Sequence, residues 1–200
     1  MKQLVGFLMV TFGAFAGGPP EKYEPTVRLI DARTGFFFCS GSVITDDRIL
    51  TAAHCVQGMP LGAKIEIRLE DGTAVDTYAT EYIANGRADV AVIKGDFRLF
   101  KKMPYETDTQ NIINSMTRSK HILLCGFPWG GKKICMETSE GIFYNFAFTF
   151  KSYLWPGMSG GPVIDEETGK IVGVNSAVNN DDAIVSPIVE IWSMLRERTE

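Results

Sequence analysis

Lys64, Glu66 and Arg68 alternate with Ile65, Ile67 and Leu69, a period of two that predicts a strand with one buried and one wetted face. Asp71-Gly72 follows as a hairpin signal, and residues 77–83 are expected to pair back. Short strands punctuated by turn residues recur along most of the chain. They are expected over 27–31, over 36–39 leading into 42–44, and over 48–51, with a turn at Asp46-Asp47. Residues 52–56 read as one helical turn. Val90-Ala91-Val92-Ile93 is apolar throughout and reads as a buried strand.

The periodicity fades over 95–120, where Pro104, Asp108, Asn111 and Asn114 punctuate a polar stretch, read as the connection between two β-units. Strands resume at 122–126. Two more are expected within 137–153, a stretch rich in Phe143, Tyr144, Phe146, Phe148 and Phe150. Thr168-Gly169 turns between strands at 163–165 and 170–174, and 183–185 closes the series. The period then changes. Ser186 is suited to N-cap a helix with Pro187 at its first position. Ile188, Ile191, Trp192 and Leu195 then share one face, which predicts an amphipathic C-terminal helix docked on the second unit. No internal repeat is evident. Strands in series predict an all-β fold, either barrels or a sandwich.

Two hundred residues suffice for a sizeable core, as one domain or two small ones. A net charge of −4 and the lack of a basic run argue against a nucleic-acid or anionic-membrane surface. Residues 1–16 stand apart. Lys2 precedes the apolar stretch 4–15, and Ala14-Phe15-Ala16 fits a small-x-small cleavage site, so 1–16 is expected to be a signal peptide. The stretch is too short for an ordinary membrane span. Export implies a secreted or periplasmic protein with no stable membrane association after cleavage. It would also put the four cysteines in an oxidising compartment. Cys125 and Cys135 flank the turn Pro128-Trp129-Gly130-Gly131 and are close enough in sequence to pair.

The chemistry gathers on Gly157-Met158-Ser159-Gly160-Gly161-Pro162. A glycine-rich turn can present the Ser159 hydroxyl with little cover and let the Gly157 and Ser159 N–H groups converge as an oxyanion hole. A hydroxyl needs a base. His54 lies in Leu50-Thr51-Ala52-Ala53-His54-Cys55, and Asp89 in Ala88-Asp89-Val90. Taken singly, each motif has an ordinary structural reading: a turn, a helix start, a strand cap. Together, in the order His, Asp, Ser, they resemble the chymotrypsin-fold (trypsin-like) serine proteases.

The resemblance covers about 26–187. It implies two Greek-key β-barrels with the active site between them, one over 17–105 with His54 and Asp89, the other within 106–200 with Ser159. It implies a serine endopeptidase acting on polypeptides without cofactor or metal, with His54, Asp89 and Ser159 as catalytic triad. It also implies a Cys39–Cys55 disulfide stapling the histidine loop. His121 lacks the Ala-Ala-His-Cys setting and is a poor rival base. Met158 replaces the aspartate that precedes the nucleophile in members activated by N-terminal cleavage, and no Ile-Val-Gly-Gly-like activation start is present. Both departures point toward the bacterial HtrA-like or glutamyl-endopeptidase-like branches, here without a PDZ domain. The primary pocket is expected at Tyr153, Ser176 and Val178, which favours a small aliphatic residue before the scissile bond. Asn175 replaces the pocket histidine of glutamate-specific members. Two alternatives stay open: a non-catalytic binding protein on the same fold, and a self-processing protease acting in cis.

Overall fold

A computed structural model describes residues 25–60, 62–78, 81–85, 88–189 and 191 of the chain. The expected signal peptide at 1–16 lies outside the described residues, as does most of the expected terminal helix.

Among the described residues, fourteen strands form two seven-stranded antiparallel sheets. The first contains β1 (Thr26–Asp31), β2 (Phe36–Thr45), β3 (Arg48–Thr51), β4 (Lys64–Arg68), β5 (Ala74–Tyr78), β6 (Glu81–Asn85) and β7 (Val90–Lys94). The second contains β8 (Ile122–Gly126), β9 (Ile134–Thr138), β10 (Ile142–Tyr144), β11 (Ala147–Phe150), β12 (Pro162–Asp165), β13 (Lys170–Asn179) and β14 (Asp182–Pro187). The first sheet runs β5-β4-β1-β2-β3-β7-β6, and its β4-β1-β2-β3 portion is a Greek-key order. The second runs β10-β11-β14-β13-β12-β8-β9. This is the expected two-barrel, all-β architecture. The one-turn helix α1 (Ala53–Val56) carries His54.

The period-two strand behaves as its pattern dictates: Ile65 and Ile67 are buried and Lys64 is exposed. The apolar run of β7 has a different cause. Ala91 and Ile93 join the core of the first barrel, whereas Val90 and Val92 join the core of the second. A strand covered on both faces needs apolar residues at every position. The two cores are thus joined through β7, close to Asp89.

Three local expectations are corrected. The stretch 95–120 is not all connection: it contains helix α2 (Thr109–Arg118), N-capped by the Asp108 side chain, which accepts from Asn111 N–H at 2.8 Å. Its inward face is only Ile112 and Met116, too narrow a stripe to stand out. Residues 77–83 do not form one return strand; the chain there belongs to β5, paired with β4, and then to β6, paired with β7. Ser186 does not cap a helix. It pairs with Val174, and Pro187 with Gly173, at the end of β14, where a strand tolerates proline. Helical backbone begins at Val189, and Ile188 and Ile191 are buried in the second core.

Candidate active site

His54 and Asp89 meet at the edge of the first barrel. His54 Nδ1 donates to Asp89 Oδ2 at 2.9 Å, and the His54 backbone N–H donates to Asp89 Oδ1 at 2.9 Å. A carboxylate only accepts, so Nδ1 carries the proton and Nε2 keeps its lone pair. Asp89 adopts a left-handed φ of 48°, tolerable for aspartate, at the entry to β7. A third bond reaches it from the second barrel: the Ser176 hydroxyl donates to Asp89 Oδ2. Burial pushes the Asp89 carboxyl up, but the bonds from His54 and Ser176 outweigh it and hold the group below its ordinary range.

The loop carrying Ser159 is set by backbone geometry. Gly157 (φ 94°) and Gly160 (φ 78°) take left-handed conformations. A Cβ on Gly157 would lie 2.8 Å from Phe127 O, and one on Gly160 would lie 2.9 Å from Ala52 N. Met158 turns inward, fully buried in the second core. Its N–H donates to Trp155 O at 3.0 Å. Among the described residues, the flanking Gly157 and Ser159 N–H groups donate to no protein acceptor.

Ser159 Oγ donates to Ser176 O at 3.4 Å and does not bond His54. Ser176 thus touches both residues, Ser159 through its carbonyl and Asp89 through its hydroxyl. His54 Nε2 lies 3.7 Å from Cys55 Sγ.

Ser40 and Thr51, which the sequence did not flag, and Asn175, read there only as a pocket residue, hold the loop in place. Ser40, on β2, bridges the barrels: its N–H donates to Ser159 O at 2.8 Å, its hydroxyl donates to Gly157 O at 2.8 Å, and that hydroxyl accepts from Phe127 N–H at 3.0 Å. Thr51 donates to Ser40 O at 2.9 Å. Asn175, expected at the pocket wall, is fully buried; its amide donates to Cys125 O at 2.8 Å and to Met158 O at 3.3 Å. Thr51 lies on an expected strand, whereas Ser40 and Asn175 fall just beyond the strands expected at 36–39 and 170–174, and nothing in the sequence marked these supporting roles.

The cysteines pair as Cys39–Cys55, tethering α1 to β2, and as Cys125–Cys135, linking β8 to β9. Cys39 and Cys55 sit beside His54 but, being joined, offer no thiolate to a metal. His121 pairs with Glu137, with Glu166 at 4.0 Å, all three exposed. Of the expected pocket residues, Ser176 serves Asp89. Tyr153 is 40% exposed and stands edge-on to Trp155 at 5.0 Å, and Val178 is 41% exposed. These two present surface rather than an enclosed floor.

Residues 39–174 match the family model described as a trypsin-like peptidase domain. Among solved structures, HL collagenase superposes with a TM-score of 0.68 at 16% identity, covering 90% of this chain and 94% of that one. The active form of the M. tuberculosis Rv3671c protease gives 0.65 at 17% identity, with 94% and 93% covered. The serine endoprotease from Yersinia pestis gives 0.67 at 18% identity, with 88% and 64% covered. At these identities the likeness is one of fold.

Proposed function

The chain belongs to the trypsin-like peptidase family, a family of hydrolases acting on polypeptides, and on that premise we propose that Ser159 is its nucleophile, His54 its general base and Asp89 the group that orients the imidazole. Ser159 Oγ attacks the scissile carbonyl carbon as His54 Nε2 takes its proton. The carbonyl oxygen gains the negative charge and is met by the Gly157 and Ser159 N–H groups, worth about 3–4 kcal/mol per donor. The C–N bond then breaks, and His54 returns the proton to the departing amine. Water, deprotonated by the same imidazole, releases the acyl group and restores the hydroxyl.

The His54–Asp89 contact carries the proposal. Three bonds converge on one carboxylate and leave Nε2 as the basic nitrogen. The free Gly157 and Ser159 N–H groups support the oxyanion role. The Ser159 hydroxyl has to rotate from Ser176 O to His54, and its 3.4 Å bond lies at the weak end of the hydrogen-bond range. Tyr153, Ser176 and Val178 remain the proposed acyl-side wall, with a graded preference for small aliphatic residues. We take 17–105 and 106–200 as the two halves of the enzyme. Residues 1–16 are read as an export signal, with a secreted or periplasmic destination. Two disulfides accord with that, and among the described residues no helix is long and apolar enough to cross a membrane.

The test is hydrolysis of a fluorogenic peptide mixture by the purified protein and by Ser159→Ala. Loss of turnover in the variant with an unchanged melting temperature is expected. Retained turnover would remove Ser159 from the mechanism.

A further inference from the structure

Every carbonyl from Pro156 to Ser159 accepts a hydrogen bond from outside that stretch. Pro156 O accepts from Trp129 N–H at 2.7 Å, and Gly157 O from the Ser40 hydroxyl at 2.8 Å. Met158 O accepts from the Asn175 side-chain amide at 3.3 Å, and Ser159 O from Ser40 N–H at 2.8 Å. A trans peptide points its N–H opposite to its C=O. A grip on one residue's carbonyl therefore sets the direction of the next residue's N–H. For the Ser159 N–H, the carbonyl that matters is that of Met158.

Two donors reach Met158 O. Gly161 N–H, at 3.0 Å, belongs to the turn itself. Asn175 Nδ2 comes from β13, and it also donates to Cys125 O on β8 at 2.8 Å. Two carbonyl partners require that the NH2, not the oxygen, faces them. The backbone of Asn175 adds two more bonds to the turn: its N–H donates to Gly161 O at 2.9 Å, and its carbonyl accepts from Gly160 N–H at 2.7 Å. The side chain is fully buried beside apolar Val174, and its Oδ1 is buried with no hydrogen-bond partner among the described residues. An unanswered buried acceptor is destabilising. What the position gains from an amide is its pair of donors.

We infer that Asn175 is a positioning residue for the oxyanion hole: its side-chain NH2, by holding Met158 O, keeps the Ser159 N–H aimed at the oxygen that gains charge. The inference rests on the proposed oxyanion role of that N–H. Anchored to a strand and not only to its own turn, the donor is oriented before substrate arrives, and such preorganisation is what makes an oxyanion donor effective. As charge develops, the Ser159 N–H bond polarises its peptide, Met158 O becomes the better acceptor, and the Asn175 bond tightens in step. Asn175 thus favours the transition state over the bound substrate.

The experiment compares the wild type with Asn175→Leu, which keeps the bulk, and Asn175→Ala. Turnover is normalised to the fraction of enzyme titrated by a fluorophosphonate. In each variant kcat is expected to fall about 10- to 100-fold, less than the roughly 10²–10³ of deleting a donor outright, because Gly161 N–H still holds Met158 O. KM is expected to stay within about threefold. Affinity for a peptide boronate, whose tetrahedral adduct places an oxygen in the hole, should fall by a factor similar to kcat. The pH midpoints should not move, since the His54–Asp89 pair is untouched. Wild-type kcat and boronate affinity per titrated site, or a loss confined to KM, overturns the inference. A measurement on the wild type depends on no variant folding: in isotope-labelled protein, the Asn175 side-chain amide proton is expected to shift downfield when the boronate binds. An unmoved resonance overturns the inference as well. A wild type that the fluorophosphonate does not label sinks the Ser159 assignment, and the inference with it.

Discussion

Ser176 joins the two barrels at the chemistry: its hydroxyl donates to Asp89, and its carbonyl accepts the Ser159 hydroxyl at 3.4 Å. Ser176→Ala should therefore remove one of the bonds holding the Asp89 carboxyl below its ordinary range. The expected outcome is a fall in kcat with KM little changed, and an acid limb of the rate profile displaced to higher pH. A pH series of kcat and KM for both proteins checks it. A variant with altered KM alone would contradict this positioning role and leave Ser176 as pocket wall only.

Asp89→Asn tests the tautomer. An amide can donate to Nδ1, which would move the imidazole proton to Nε2 and remove the base. A loss of about 10⁴ in kcat is expected, with the fold retained. Steady-state kinetics beside circular dichroism would measure both.

Loss of the Cys39–Cys55 tether should destabilise the segment that carries His54. The bridge closes a separation of 16 residues. The double variant Cys39→Ala/Cys55→Ala is expected to lose about 2–4 kcal/mol in denaturant unfolding. An unchanged midpoint would refute the tether's role.

Glu106 is buried between the barrels' connection and β13. The Asp108 N–H and the Lys170 ammonium, at 2.9 Å, lower its pKa from 4.5 to about 2, against the upward push of burial, with the Thr107 N–H adding to the drop. The folded value lies below the unfolded one. The stabilisation is thus present above the unfolded pKa of 4.5 and is lost as pH falls toward the folded value of about 2. It amounts to on the order of 2 kcal/mol. Melting temperatures of the wild type and Glu106→Gln should differ at pH 7 and converge on acidification. A gap that stays constant across that range would contradict the linkage.

The strands were legible because sheet faces impose a local pattern, as at Ile65 and Ile67, or a solid apolar run, as at Val90-Ala91-Val92-Ile93. Helix α2 was hidden because two buried residues, Ile112 and Met116, make a faint stripe, and its cap Asp108 resembles loop punctuation. At Ser186-Pro187 the local grammar of a helix start lost to pairing with Val174 and Gly173. Such non-local pairing leaves no mark in a short window. His54, Asp89 and Ser159 were visible as motifs. The supports Ser40 and Asn175 act between strands far apart in sequence, so nothing near them announced their partners.

The most direct measurement is peptide mapping after treatment with a fluorophosphonate. The account predicts one adduct, on Ser159, formed by the wild type and lost in His54→Ala, because the hydroxyl attacks only with the imidazole as base. An adduct on another residue, or equal labelling of Ser159 when His54 is absent, would contradict it.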